Sequence, residues 1–95
     1  MAFNPAGTQW SVASFDNAGN LGSFNPTPWE FHAEAMNAGT LWYGGYVPVA
    51  GSDNSFSCEI MSNGVVIDTF EVVFVTADRL IATKAGALYR FGKKL

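Results

Sequence analysis

The sequence predicts an all-β fold, an antiparallel up-and-down (meander) β-barrel of about eight short strands forming a single domain over residues 1–95. Turn-forming residues recur at short, even intervals: Asn17 to Asn20, Asn25-Pro26-Thr27-Pro28, Asn37-Ala38-Gly39, Gly51 to Asn54, Asn63-Gly64, Ala77-Asp78 and Ala85-Gly86. The runs between them are too short for most helices and are rich in β-branched and aromatic residues. Several runs also alternate apolar and polar residues with a period of two, the pattern of a strand with one buried face.

Taken in chain order, strands are expected at 8 to 15, 21 to 24, 29 to 36, 40 to 49, 56 to 62, 65 to 75, 79 to 85 and 87 to 93. The firmest turn is Ser62-Asn63-Gly64-Val65, because a two-residue type I′ turn needs positive φ at both central positions and Asn-Gly accommodates it best. Over 29 to 35, Trp29, Phe31, Ala33 and Ala35 fall on one face and Glu30, His32 and Glu34 on the other. Over 56 to 60, Phe56, Cys58 and Ile60 oppose Ser57 and Glu59, which makes Cys58 a small buried hydrophobe of low reactivity.

From Val65 to Val75 the alternation breaks, since Phe70, Val72 and Phe74 share a parity with Asp68. A β-bulge near Asp68 or Thr69 would restore it. Gly44-Gly45 marks a second bend, because glycine inside a strand weakens it and accompanies kinks. Hairpin-length connections favour the meander over a two-sheet sandwich, and closure removes the edges an apolar chain would otherwise expose. An eight-stranded barrel is just wide enough inside to be filled by side chains or to hold one small ligand.

Composition narrows the function classes. The 95 residues suit one core, and 48% hydrophobic, 15% aromatic and 14% charged residues place the chain among globular proteins. The net charge of −3 argues against nucleic acid as a partner, since phosphate binding needs a basic surface. All five basic residues, Arg79, Lys84, Arg90, Lys93 and Lys94, follow position 78, and the preceding residues carry no Lys or Arg. A lone cysteine allows no intramolecular disulfide and no thiolate-rich zinc site. With no signal-like leader, and no apolar run near the roughly 18 residues of a membrane span, a cytoplasmic protein with no membrane partner is expected.

Gly7-Thr8-Gln9-Trp10 at the start of the first strand and Leu88-Tyr89-Arg90-Phe91 in the last resemble the calycin arrangement of lipocalins, fatty-acid-binding proteins and avidins. The resemblance implies a barrel closed at one end by a clamp, with the Trp10 indole beneath the Arg90 guanidinium. Such a cation–π contact would be worth roughly 0.5 to 2 kcal/mol. Gln9 is an extra residue relative to the family's Gly-x-Trp spacing, and no ligand-binding residue transfers by motif.

No catalytic residues, metal ligands or cofactor are predicted. His32 between Glu30 and Glu34 offers a metal or general-base site only on paper, because residues four apart on a strand lie about 13 Å apart. Outward solvated positions explain all three. There is no glycine-flanked serine elbow, and Cys58 and His32 fall on opposite faces of their strands. Asp68 and Glu71 near the bulge could serve acid catalysis if Asp68 were buried, although a hydrogen-bonded carboxylate capping a bend is the commoner arrangement.

Aromatic residues carry the functional expectation. Trp29, Phe31, Trp42, Tyr46, Phe74 and Tyr89 are candidates to line an interior pocket for a small, largely apolar ligand, without catalysis. A packed core is the competing use of the same residues. Trp42 and Tyr43 cannot both point inward, so one is expected to be exposed or at a rim, where a large aromatic suits a partner surface; a homodimer is admitted separately. The alternative function is accordingly a protein–protein interaction or inhibitor module, using rim loops Asn25 to Pro28 and Gly51 to Asn54 or an apolar outer face at Val73 and Val75. An isomerase or cyclase using Asp68, Glu71 or His32 stands third.

Overall fold

The computed structural model describes residues 3–38 and 41–95, and of Ala38, Leu41, Trp42 and Tyr43 the backbone alone. Among the described residues the chain forms β1 (Gln9–Phe15), β2 (Leu21–Phe24), β3 (Trp29–Phe31), β4 (Ala35–Ala38), β5 (Leu41–Pro48), β6 (Ser55–Ser62), β7 (Val65–Thr76), β8 (Arg79–Lys84) and β9 (Ala87–Lys94), with no helix. Each strand from β3 to β9 pairs antiparallel with the next, and β9 returns to pair with β1 from Trp10 to Ser14. The result is the predicted closed antiparallel meander barrel of eight strands plus one extra strand.

The extra strand is β2. Ala13 pairs with both Phe24 and Phe91, while Trp10 pairs with both Trp29 and Lys94, so β2 and β3 share the edge of β1 that faces away from β9. Asn25 to Pro28 interrupts them, because neither proline can donate to a ladder. Asn25 Oδ1 accepts the Thr27 N–H at 2.9 Å and fixes the detour.

Two local expectations need correction. The run 29 to 36 is two strands: His32, Ala33 and Glu34 form the connection, with the His32 N–H bonded to the Ala35 carbonyl at 2.8 Å. The Asn37-Ala38-Gly39 turn does not begin at Asn37, which is paired in β4 with Glu30 and Trp42; Gly39 and Thr40 lie outside the described residues. Three-residue strands suffice here because both flanking ladders continue around the barrel.

Other local expectations hold. Asn63 and Gly64 take φ of 53° and 79°, as the type I′ hairpin requires. A bulge places Ile67 as the extra residue of β7, since Ile60 pairs with Asp68 but Met61 pairs with Val66. Gly44, at φ 99°, lies at the irregular step of β4–β5, and Met61 passes so close that a Cβ there would fall 2.6 Å from its sulfur.

Following paired residues around the barrel identifies the inward set: Trp10, Val12, Trp29, Phe31, Met36, Tyr46, Phe56, Cys58, Phe70, Val72, Phe74, Leu80 and Ala82. They form one packed cluster. Gly92 belongs to this face, between Val12 and Leu80, and its missing side chain is the space Leu80 fills, since a Cβ would lie 2.7 Å from Leu80 Cγ. The interior is thus fitted at the scale of single methyl groups.

Candidate functional site

The aromatic residues expected around a ligand are packed against one another. Phe74 is central at the amino-terminal mouth, with ring centroids 4.6 Å from Phe3, 5.2 Å from Trp10, 5.5 Å from Phe31 and 5.6 Å from Phe56. Tyr46 meets Phe31 and Phe56 edge-on, at 5.3 and 5.6 Å. Toward the other end, Phe70 joins Trp29 and Tyr89, at 5.7 and 5.6 Å. Tilted and edge-to-face contacts at these distances are how aromatic rings fill a core. Of the six expected ligand residues, Trp29, Phe31, Tyr46 and Phe74 are buried and Tyr89 is half-buried; the Trp42 side chain lies outside the described residues.

The Trp10–Arg90 clamp does not form. Arg90 pairs with Ser14, four residues along β1 from Trp10, so strand rise separates the two by about 13 Å. Its guanidinium lies 4.0 Å from the centroid of the Tyr89 ring and donates to the Tyr89 carbonyl at 3.0 Å. A bulge in β9, with Ala82 opposite Arg90 but Thr83 opposite Leu88, makes Tyr89 the extra residue and turns its ring toward Phe70. Trp10 is fully buried against Phe74, and its Nε1 donates to Thr8 Oγ1 at 2.8 Å. Thr8 is thus tied to Trp10, while the Gly7 N–H donates to the Phe31 carbonyl at 2.8 Å and ties the start of the segment to β3.

The groups considered for catalysis stand apart. His32 is on the exposed connection at the amino-terminal mouth, whereas Asp68 is at the opposite, hairpin end. Asp68 is exposed rather than buried: it forms a 2.6 Å ion pair with Lys84 and accepts the Thr69 N–H at 2.8 Å, which caps the bulge. The Lys84 hydrogen bond, then that backbone bond, hold its carboxyl below the usual range, the reverse of what a general acid needs. Cys58 is fully buried, and desolvation pushes its thiol up to about 12. Burial, then the neighbouring Cys58, also raises the Tyr46 phenol, whose hydroxyl donates to the His32 carbonyl. Among the described residues no group of three His, Cys, Asp or Glu is placed to hold a metal ion.

Outside the barrel, ladder register builds an apolar band. Phe24 pairs with Ala13, Ala13 with Phe91, Phe91 with Ile81, and Ile81 with Val73, so five apolar side chains from β2, β1, β9, β8 and β7 form one row on the outer face. Phe24 is 37% exposed and meets Phe91 edge-on at 6.3 Å. Val75, 58% exposed, is the extra residue of a bulge beside the row. The next row is cationic: Lys93 pairs with Ser11 and Arg79, and its ammonium lies 5.0 Å from the Phe24 ring centroid. On the other side Glu71 pairs with Thr83. Sequence pattern alone showed Val73 and Val75; the remainder of the band required the cross-strand register.

Two grooves flank the N-terminal segment at the mouth. One, of about 540 Å³, is lined by Phe3, Asn4, Pro5, Ala33, Glu34, Gly45, Tyr46, Val47, Pro48 and Phe56. The other runs from Phe3 and Asn4 over Gly51 to Asn54, so the Gly51–Asn54 loop expected at a rim does border a depression. Comparisons with protein-family models, curated proteins and solved structures returned no match.

Proposed function

We propose that the protein is a non-catalytic interaction module whose contact face is the outer apolar band of Phe24, Phe91, Ile81 and Val73, laid over the buried Ala13. The supporting observation is the pairing of a filled interior with an apolar row carried on the outside of the same strands. A carrier would spend its inward aromatics on a hollow; here they meet each other at core distances. Apolar side chains aligned across five strands and bordered by charge have the make-up of a contact patch. Lys93 on one side, beside an Arg79 that already pairs with Asp78 at 3.5 Å, favours a protein partner whose apolar strip is edged by a carboxylate.

Selection from a random peptide display library on the immobilised protein tests this reading. The expected ligands combine apolar residues with acids, and Ile81→Lys or Val73→Lys should weaken them by about tenfold or more if the band contains the central contacts. Unchanged binding in both variants, with the fold verified by NMR, contradicts the assignment. Sedimentation of the wild type adds a second arm: a concentration-dependent dimer abolished by Ile81→Lys would identify the partner as a second copy.

A further inference from the structure

We infer that the 540 Å³ groove at the amino-terminal mouth is a binding site for a small cationic amphiphile, an apolar body carrying a protonated amine. The site shares no residue with the outer band and does not depend on it. Its volume lies within the range of small-molecule pockets, and Phe3, Pro5, Tyr46, Val47, Pro48 and Phe56 supply apolar and aromatic walls. Val47 is 61% exposed, a cost in water that an apolar ligand would remove.

Charge and hydrogen bonding select the head group. Every residue lining the groove lies between positions 3 and 56, within the part of the chain that has no Lys or Arg, so the formal side-chain charge in its lining comes from a carboxylate. Glu34 lines the groove, and a Glu59 carboxylate oxygen lies 3.4 Å from where a Cβ on lining residue Gly45 would stand. Tyr46 has already committed its hydroxyl hydrogen to the His32 carbonyl, leaving its oxygen only as an acceptor. An ammonium has three donors, no acceptor and a positive charge, which matches a lining that offers acceptors and a carboxylate. A carboxylate or phosphate head would face like charge and find few donors.

The test is a titration of the intact protein with three probes of equal chain length, hexylamine, hexanol and hexanoate, followed by NMR shifts of Tyr46, Val47 and Phe56. Hexylamine should bind about tenfold more tightly than hexanol, the difference expected of one charge-assisted contact, and hexanoate should bind more weakly than either. Glu34→Gln with Glu59→Gln, both away from the packed core, should bring the amine down to the affinity of the alcohol, with the alcohol changed much less than the amine. Equal affinity for amine and alcohol in the wild type overturns the inference. So does amine binding that survives both substitutions, a shift pattern centred elsewhere, or no binding at millimolar amine.

Discussion

At the amino-terminal mouth, Phe3 and Pro5 close the barrel with carbon; at the hairpin end, Lys84, Asp68, Tyr89 and Arg90 close it with charge laid against an aromatic ring. Pro5 is fully buried and Phe3 stacks on Phe74 at 4.6 Å, while the Phe3 N–H bonds to the Asp53 carbonyl at 2.8 Å and holds the segment down. At the other end the Lys84 ammonium reaches Asp68 at 2.6 Å and lies 5.6 Å from the Tyr89 centroid, with Arg90 at 4.0 Å. The basic residues that the sequence confines to its last seventeen positions therefore act separately: Lys84 and Arg90 cover the hairpin end, and Arg79 and Lys93 border the outer band. Apolar closure removes surface from water, whereas exposed charge closure works against solvent screening. The mouth should consequently carry most of the stability.

Truncation should separate the two ends cleanly. Phe74→Ala, which removes the ring shared by four aromatic neighbours, should cost about 3–5 kcal/mol in chemical denaturation. Phe3→Ala should cost about 1–2 kcal/mol, because its ring is only partly buried. Arg90→Ala should cost about 0.5–1 kcal/mol, and a double-mutant cycle should show coupling to Tyr89 and none to Trp10. Coupling between Arg90 and Trp10 would restore the clamp and reverse the comparison.

The smallest effects distinguish the ends by pH. Asp68 has its carboxyl lowered in the fold, so its pairing contributes above the ordinary carboxylate value and is lost as pH falls through the lowered one. Asp68→Asn should reduce the steepness and the salt dependence of the acid limb without abolishing either, because Asp16 and Asp78 are lowered as well, and it should leave mouth resonances unchanged. Cys58 acts at the opposite limit: the folded thiol is raised to about 12, so stability is full below the unfolded-chain value and declines as pH climbs toward 12. Cys58→Ala should reduce that alkaline decline. In the wild type, thiol modification should proceed only as fast as the protein opens.

Strand positions were legible because turn residues and period-two alternation are local signals. The Asn63-Gly64 hairpin and the bulge beside Asp68 follow from the same logic. What escaped were properties of register. His32 to Glu34 alternate like a strand yet form a connection, because alternation cannot reveal where the neighbouring ladder stops. The Arg90 expectation paired residues at two chain ends without the register that sets Arg90 opposite Ser14. The outer band was hidden for the same reason, since its members lie far apart in sequence. Whether inward aromatics frame a hollow or fill it depends on ring contacts, to which composition is blind.

The central claim is that the barrel interior is a packed core and that recognition occurs on the outside. Benzene titrated into the folded protein, read at the Trp10 and Trp29 indole N–H resonances, tests it most directly. For a packed interior both resonances stay in place up to the solubility limit of benzene. Saturable shifts at both, with the fold intact, would show a hollow able to take an apolar guest and contradict it.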